Sequence, residues 1–494
     1  MPGHLIIQNK TAWIVQYLLA FLMLIAVVYT SMHSLTLLVW LLIAGSFFTL
    51  AYIASYTTLL SMYIVTVVSM LFSVEMQIPN TAAILRLPSE PLLIIMAIAF
   101  FLKQLRVYSF SSNEFNKADN IFILLFILVM CITCYTSSML SVSIKASLVK
   151  ILYLFNFYFV VKYFVALDKT IITKWFNLIS VLSVPLIIYY LWKHSSYDFS
   201  KGAAGDIVKP LFNDHTIYSC FLAFLAPYNF LKTLFTPITE KPFTKLFHGF
   251  LFLLIMIAIT ASGCRAAWLS MIAVLIAGII FKFKINYKWI IASVVAVSIY
   301  VAFNFDNYVA ESKRNRHDSS AANADITTQA QSVTNISSDN SNLERLNRWS
   351  CAWRMFLDKP LTGFGPGTYQ FQYLDYQLKE EMTPISVTSP YNIRQGHGGT
   401  AHQEYLLVLS EMGIFGFLFF IWLIILTWKR ACNMLTSKIN TEEKIIIAAM
   451  FFAMLTYVVH AFFNNFLDTD KTAFLFLGSM AFINQVYASK KIVF

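Results

Sequence analysis

Long unbroken apolar runs dominate this sequence, and their length limits the chain to very few folds. A helix rising about 1.5 Å per residue crosses about 30 Å of hydrocarbon in about 20 residues. Runs of that length lie near residues 12–30, 35–54, 57–74, 90–106, 120–139, 147–166, 171–192, 216–235, 247–262, 266–283, 288–303, 403–427, 444–462 and 472–488. Lipid offers no hydrogen bonds to a backbone, so such runs are read as spanning helices. The expected fold is all-α, a polytopic bundle of about 12–14 membrane helices with one long, partly helical outer loop. Three parts follow: an N-terminal bundle over 1–303, a loop over 304–402 and C-terminal spans over 403–494. Only 12% of the residues are charged, against about 25% in ordinary soluble domains, which excludes a soluble globular enzyme.

Cations set the expected orientation. Lys103, Arg106 and Lys117, then Lys162, Lys169 and Lys174, then Lys429, Arg430, Lys438 and Lys444 fall in loops on one side. The positive-inside rule puts that side in the cytoplasm, with both termini inside and loop 304–402 outside. The net charge of +11 is spread along these helix ends, where it contacts anionic membrane lipids, and nucleic acid is not an expected partner. The first run is too long for a signal peptide's apolar core and is read as a retained helix. Six cysteines are dispersed, with Cys131 and Cys134 read as buried in one span and Cys351 in the outer loop. Neither a disulfide framework nor a zinc site is predicted.

The outer loop changes character along its length. Residues 311–342 are rich in Ser, Asn, Asp and Ala and are expected to be flexible. Ser341-Asn-Leu-Glu344 then reads as a capping box opening an amphipathic helix near 342–358. Its stripe of Leu346, Trp349, Trp353 and Phe356 is expected to lie on the membrane surface or pack on the bundle. Pro360-Leu-Thr-Gly-Phe-Gly-Pro-Gly-Thr368 lacks the Gly-Lys-Ser/Thr ending of a nucleotide-binding loop and is read as a structural turn. His402 closes the loop just before a new helix, whose N-terminal amides and dipole favour an anion.

Arginine is distributed unevenly. Arg86, Arg265, Arg314, Arg316, Arg345, Arg348, Arg354 and Arg394 fall on the outward side, while Lys serves most of the inward side. Guanidinium groups grip phosphate oxygens bidentately and stay charged when desolvated, so an anionic, phosphorylated ligand is expected at the outer face. Arg265 stands out because Ala261-Ser-Gly-Cys-Arg265 leaves hardly any loop between two spans, and an ionisable group at that depth usually marks a site. His215, beside Asp214, and His460, near Asp468, end outward spans and are candidates for proton transfer or hydroxyl binding. Glu411 lies within a span and is expected to pair with a buried cation or polar partner.

Three blocks in order resemble the superfamily of bacterial O-antigen ligases and O-antigen polymerases. They are Ser262-Gly-Cys-Arg265; Arg345-Leu-Asn-Arg-Trp349 with Asp358-Lys-Pro-Leu-Thr-Gly-Phe-Gly-Pro-Gly367; and Ala401-His-Gln-Glu-Tyr-Leu406 with Glu411-Met-Gly-Ile-Phe-Gly416. The resemblance implies an inverting, metal-independent glycosyltransferase of the inner membrane. Its implied donor is an undecaprenyl diphosphate-linked glycan at the periplasmic face, with no cofactor. Carried over, Arg265 and Arg345, with Arg348 beside them, hold the diphosphate, and His402 sits at the reacting centre. Gln403 stands where many relatives have Asn, and the span count exceeds the twelve or so typical of ligases.

The chemistry suits these residues apart from the resemblance. A sugar on a lipid diphosphate carries a good leaving group, so the work is orienting a hydroxyl, taking its proton and stabilising departing charge. His402 is read either as the general base or, beside arginine, as a neutral hydrogen-bond donor to phosphate. Paired carboxylates of the Asp-x-Asp kind are not counted on the outward loops, which argues against a metal-dependent transferase. Lipid A core is the favoured acceptor. The alternatives are a repeat-unit polymerase, a protein O-oligosaccharyltransferase or, in another class, a transporter or flippase of the lipid-linked glycan. The absence of internal repeats weighs against a transporter.

Overall fold

A computed structural model describes residues 59–77, 84–107, 118–236, 242–284 and 338–490, with isolated positions between 296 and 335. The expected spans near 12–30 and 35–54, most of 288–303, and most of the flexible stretch 311–342 lie outside the described residues. The chain divides into two compact units, one comprising Met1–Ile78 and Ile84–Ser111, the other comprising Pro79–Ala83 and Ser112–Phe494.

In the first unit, helix α1 (Leu59–Leu71) leads into strands β1 (Val74–Gln77) and β2 (Ile84–Leu87), then helix α2 (Ser89–Val107). At 13 residues α1 rises about 20 Å, less than a full bilayer core. The hairpin is antiparallel with Val74 opposite Leu87, and Glu75 opposite Arg86 forms a 2.6 Å ion pair. Arg86 also stands 3.7 Å from Glu90, so this arginine is neutralised locally.

The second unit is a bundle of long helices: α3 (Ala118–Tyr135), α4 (Leu140–Leu167), α5 (Ile171–Ser195), α7 (His215–Phe235), α8 (Pro242–Ala261), α9 (Arg265–Lys282), α13 (Glu404–Thr436), α14 (Thr441–His460) and α15 (Asp470–Ser489), with short α6 (Lys201–Ile207) between α5 and α7. Seven helices among the described residues are long and apolar enough to cross a membrane. The architecture is the expected all-α polytopic bundle, and the chain is a multi-pass membrane protein. Its centre is built by α7 and α15, buried nearly all round. At the rim, α9 leaves Leu269, Ile272, Leu275, Ile276 and Ile279 exposed, the apolar face that lipid requires.

At one end of the bundle Asp119 accepts from Lys162 at 2.6 Å, from Arg430 at 2.7 Å and from Tyr158. Asn484 joins Arg430 at 2.9 Å and Thr427 at 3.0 Å, closing the network across α3, α4, α13 and α15. Lys162 and Arg430, counted above as loop cations marking topology, are therefore spent on a buried ion network. Cys131, expected in the interior, is exposed on the outer face of α3, while Cys134 is buried. Cys351 is buried too, in the core of the long loop before α13.

That loop folds around helix α10 (Asn340–Asp358), followed by α11 (Tyr369–Gln372), two 3-10 turns and α12 (Pro390–Arg394). The cap of α10 is Asp339, not Ser341: its carboxylate accepts from Asn342 N–H at 2.9 Å. Glu344 is thereby released from a capping role, and it pairs with Arg348 at 2.8 Å instead. Of the two settings expected for the apolar stripe, packing inward is not the one taken by Leu346 and Trp353, while Trp349 and Phe356 are half-buried. Leu346 is 39% exposed, Trp353 48% and Leu357 60%, whereas Glu344, Asn347, Arg348, Cys351, Ala352 and Met355 are buried. Both stripes have helical spacing. The polar one is turned inward because its ion pair is internally neutral and its Cys and Ala permit close packing against Tyr369, Tyr373 and Ile393.

The Gly/Pro turn is structural, as expected, and the structure shows what it does. Helix α13 breaks at Gly413, whose φ of 65° is a left-handed conformation suited to glycine. The turn supplies the backbone partners of that break: Phe364 N–H donates to Ser410 O at 3.0 Å, Gly365 N–H to Glu411 O at 2.9 Å, and Pro360 O accepts from Ile414 N–H at 2.8 Å. A helix broken at membrane depth persists only where its freed groups are satisfied in this way. Side chains at Gly363, Gly365 or Gly413 would run into Glu411, Ser137 and Leu361.

Candidate functional site: a cavity under helix α10

Alternation of the long helices brings the starts of α7, α9 and α13 to the end of the bundle where α14 finishes, opposite the Asp119 network. Helix α10 also begins there, tied down by Arg265, whose Nη2 donates to Asn342 Oδ1 at 2.9 Å and whose Nη1 stands 3.6 Å from Asp339. The result is a cavity of about 560 Å³ bounded by four helix N-termini. Each N-terminus carries about half a positive charge on its unpaired amides, so their convergence favours an anion.

Arg265, Arg345, His402 and His215 line this one cavity. Arg265 is the first residue of α9, placed there by a tight turn in which Gly263 takes a φ of 64° and Ser262 Oγ donates to Ile259 O at 2.6 Å. Arg345 lies on the first turns of α10. Its Nη1 donates to Ser341 Oγ at 2.9 Å, while its Nε is buried without a hydrogen-bond partner. Burial, and then the neighbouring Arg265, push the Arg345 guanidinium below its ordinary pKa. An under-partnered buried cation beside a second cation is costly unless an anion completes it.

His402 occupies the left-handed region at φ 51°, a strain of about 1–3 kcal/mol for a residue with a side chain. Three contacts hold it there. Arg348 Nη1 donates to Gly398 O at 3.0 Å and to Thr400 O at 2.9 Å, and Trp349 Nε1 donates to His402 O at 3.4 Å. Burial first, then Arg348 and Arg345, push the imidazole pKa down to about 3. His402 is thus neutral throughout the physiological range. Unfolded histidine takes up a proton near pH 6.5, so this residue's contribution to stability is complete above about 6.5 and is lost as the pH falls toward about 3. We expect His402→Gln to lose less thermal stability than the wild type between those limits in detergent; equal acid sensitivity of the two proteins counts against the environment described.

The remaining expected residues separate. Arg348 does not line the cavity: it is buried between Glu344 and the 398–400 backbone, with its guanidinium 5.0 Å from the Tyr373 ring centre. It positions His402 and is not placed to touch a ligand directly. His460 sits behind the Ser262–Arg265 turn, with Nε2 3.8 Å from Cys264 Sγ. Glu411 meets its buried cation, Lys150, at 3.8 Å, and accepts from Tyr369 N–H at 3.1 Å, serving the loop's attachment. Arg354 is taken by Glu381 at 2.5 Å. Asp468-Thr-Asp470, at the same end of the bundle, is an Asp-x-Asp spacing that the sequence reading overlooked. Lys150 holds Asp468 at 3.4 Å, and Asp470 Oδ1 accepts from Lys471 N–H at 2.9 Å. Sequence reasoning also passed over Asn342, Trp268 and Asn464, which line the cavity but carry no motif signal of their own.

Residues 250–421, which span α8 to the break in α13 and include Arg265, Arg345, His402 and Glu411, match the family model described as O-antigen ligase. No curated protein matches the chain. This match, the ordered motif blocks and the all-helical membrane bundle agree, and residues 250–421 of the chain are similar to the O-antigen ligase family.

Proposed function

We propose that this protein transfers a glycan from undecaprenyl diphosphate to an acceptor hydroxyl, with lipid A core the favoured acceptor. The proposed setting is the periplasmic face of the bacterial inner membrane, with both termini in the cytoplasm, and the transfer inverts the anomeric centre without a metal. The observation that carries the reading is the meeting of Arg265, Arg345 and His402 in one cavity where Arg345 Nε is buried without a hydrogen-bond partner. A diphosphate bridging the two guanidiniums satisfies Arg345 Nε and relieves the repulsion between them. The same cavity has an apolar wall of Trp268, Leu269 and Ile272, continuous with the exposed face of α9, which suits an isoprenoid chain entering from lipid.

In the proposed step the acceptor oxygen attacks the anomeric carbon, the carbon–oxygen bond to diphosphate breaks, and the leaving charge develops against Arg265, Arg345 and the helix N-termini. Held neutral by burial and then by two arginines, His402 acts as a donor to the phosphate oxygens. Its imidazole nitrogens have no hydrogen-bond partner among the described residues, so the group is available to a ligand.

Purified protein supplied with undecaprenyl diphosphate-linked glycan and lipid A core tests the reading. A slower-migrating acceptor supports a ligase. Lengthened lipid-linked chains move the assignment to a polymerase, and sugar on a protein hydroxyl to an oligosaccharyltransferase. Glycan moved across a vesicle bilayer with no covalent product overturns the transferase reading in favour of a transporter.

A further inference from the structure

Two histidines open on the cavity, and their surroundings are opposite. His402 is faced by Arg345 and, behind its loop, Arg348, which disfavour a second positive charge. His215 instead stands with Nδ1 2.6 Å from Asp214 Oδ1. That nitrogen is buried and close to the carboxylate without an aligned hydrogen bond, and Nε2 has no hydrogen-bond partner among the described residues. Gly205 of α6 lies on the Nδ1 side, where a Cβ would stand 3.8 Å from that nitrogen, in ordinary van der Waals contact. Asp214 is fixed in turn, since it caps α7 by accepting from Thr216 N–H at 3.0 Å. Burial pushes its carboxyl up, but the adjacent His215 imidazole and the Thr216 N–H outweigh this and hold it well below the usual carboxylate range.

We propose that His215 is the catalytic base that takes the acceptor's proton, with Asp214 as its positioning residue. The inference rests on the transferase reading above and divides its labour: cations and His402 serve the departing diphosphate, while the Asp214–His215 pair serves the incoming hydroxyl. An imidazole whose inner nitrogen is anchored to a carboxylate presents its outer nitrogen in one orientation and gains stabilisation when it becomes cationic. The acceptor O–H proton passes to Nε2 as the oxygen bonds to the anomeric carbon, the diphosphate leaves with the electron pair, and the imidazolium releases its proton to water. The charged and titratable groups facing the pair are Arg265 from α9, Arg345 and Glu344 from α10, His402 from the loop, and His194 of α5 across a recess of about 20 Å³.

The test uses the full-length protein in the reconstituted transfer assay, with lipid-linked glycan as donor and the pH varied. His215→Gln is expected to lower kcat by roughly 10²–10⁴-fold, with KM for the donor changed less than about threefold and the pH–rate inflection of the wild type abolished. Asp214→Asn retains a good helix cap, so it isolates the carboxylate, and it is expected to lower kcat by at least about tenfold with unchanged thermal stability. Wild-type rates in both variants, or an inflection lost only in His402→Gln, overturn this assignment and leave the transferase reading intact. Absence of any covalent product from the wild type overturns both.

Discussion

Replacing Arg345 by methionine is expected to lower the rate of glycan transfer by roughly 10²–10³-fold, the usual cost of removing one preorganised donor from developing negative charge. The stability effect should have the opposite sign. Arg345 Nε is buried without a partner, and Arg265 stands close enough to push the guanidinium pKa down. Methionine keeps most of the side chain's apolar volume while removing an uncompensated charge, so the melting temperature is expected to hold or rise. A residue that merely braces α10 would show both quantities falling together. Arg345→Lys is informative beside it, because it keeps the charge but loses the fork that matches two phosphate oxygens. An Arg345→Met protein that transfers glycan at the wild-type rate removes Arg345 from the diphosphate site.

The largest expected effect on stability lies at the other end of the bundle. Asp119 is the one carboxylate holding both Lys162 and Arg430 in the described network, and it is 0% exposed. Asp119→Ala leaves two buried cations without their anion, a loss of about 3–5 kcal/mol. Lower yield of folded protein and a clear drop in melting temperature are expected on detergent extraction. Asp119→Asn, which keeps an acceptor oxygen, should fall between. The rate per folded molecule should survive at low temperature, since α3 carries about 25 Å of helix between this network and the end of the bundle that holds the cavity. An Asp119→Ala protein as stable as the wild type would show that water or local relaxation already screens these charges.

Apolar run length determined the helices. Eleven of the expected spans correspond to described helices of matching position, because no other element hides a backbone from lipid over that length. The arginine bias and the four residues Ser262-Gly-Cys-Arg265 pointed to the helix junction that borders the cavity for a similar reason: a guanidinium at that depth has few unremarkable explanations. The Gly/Pro turn was legible as a turn, but its service to the break at Gly413 was not, since that depends on residues about fifty positions further along the chain.

Which face of α10 turns inward was decided only by the tertiary structure. Two stripes of equal period run along it, and the choice followed from an ion pair, Glu344 with Arg348, that becomes cheap to bury when the 398–400 carbonyls complete it. The same holds for the division among arginines and histidines. Arg345 and Arg348 are three residues apart in sequence, yet one opens on the cavity and the other is consumed behind it. His215 and His402 are the same side chain, and one is faced by a carboxylate and the other by guanidiniums. Sequence determines which side chains are present and which element carries them. Their electrostatic partners come from segments tens to hundreds of residues away, and it is the partners that decide what each titratable group is able to do.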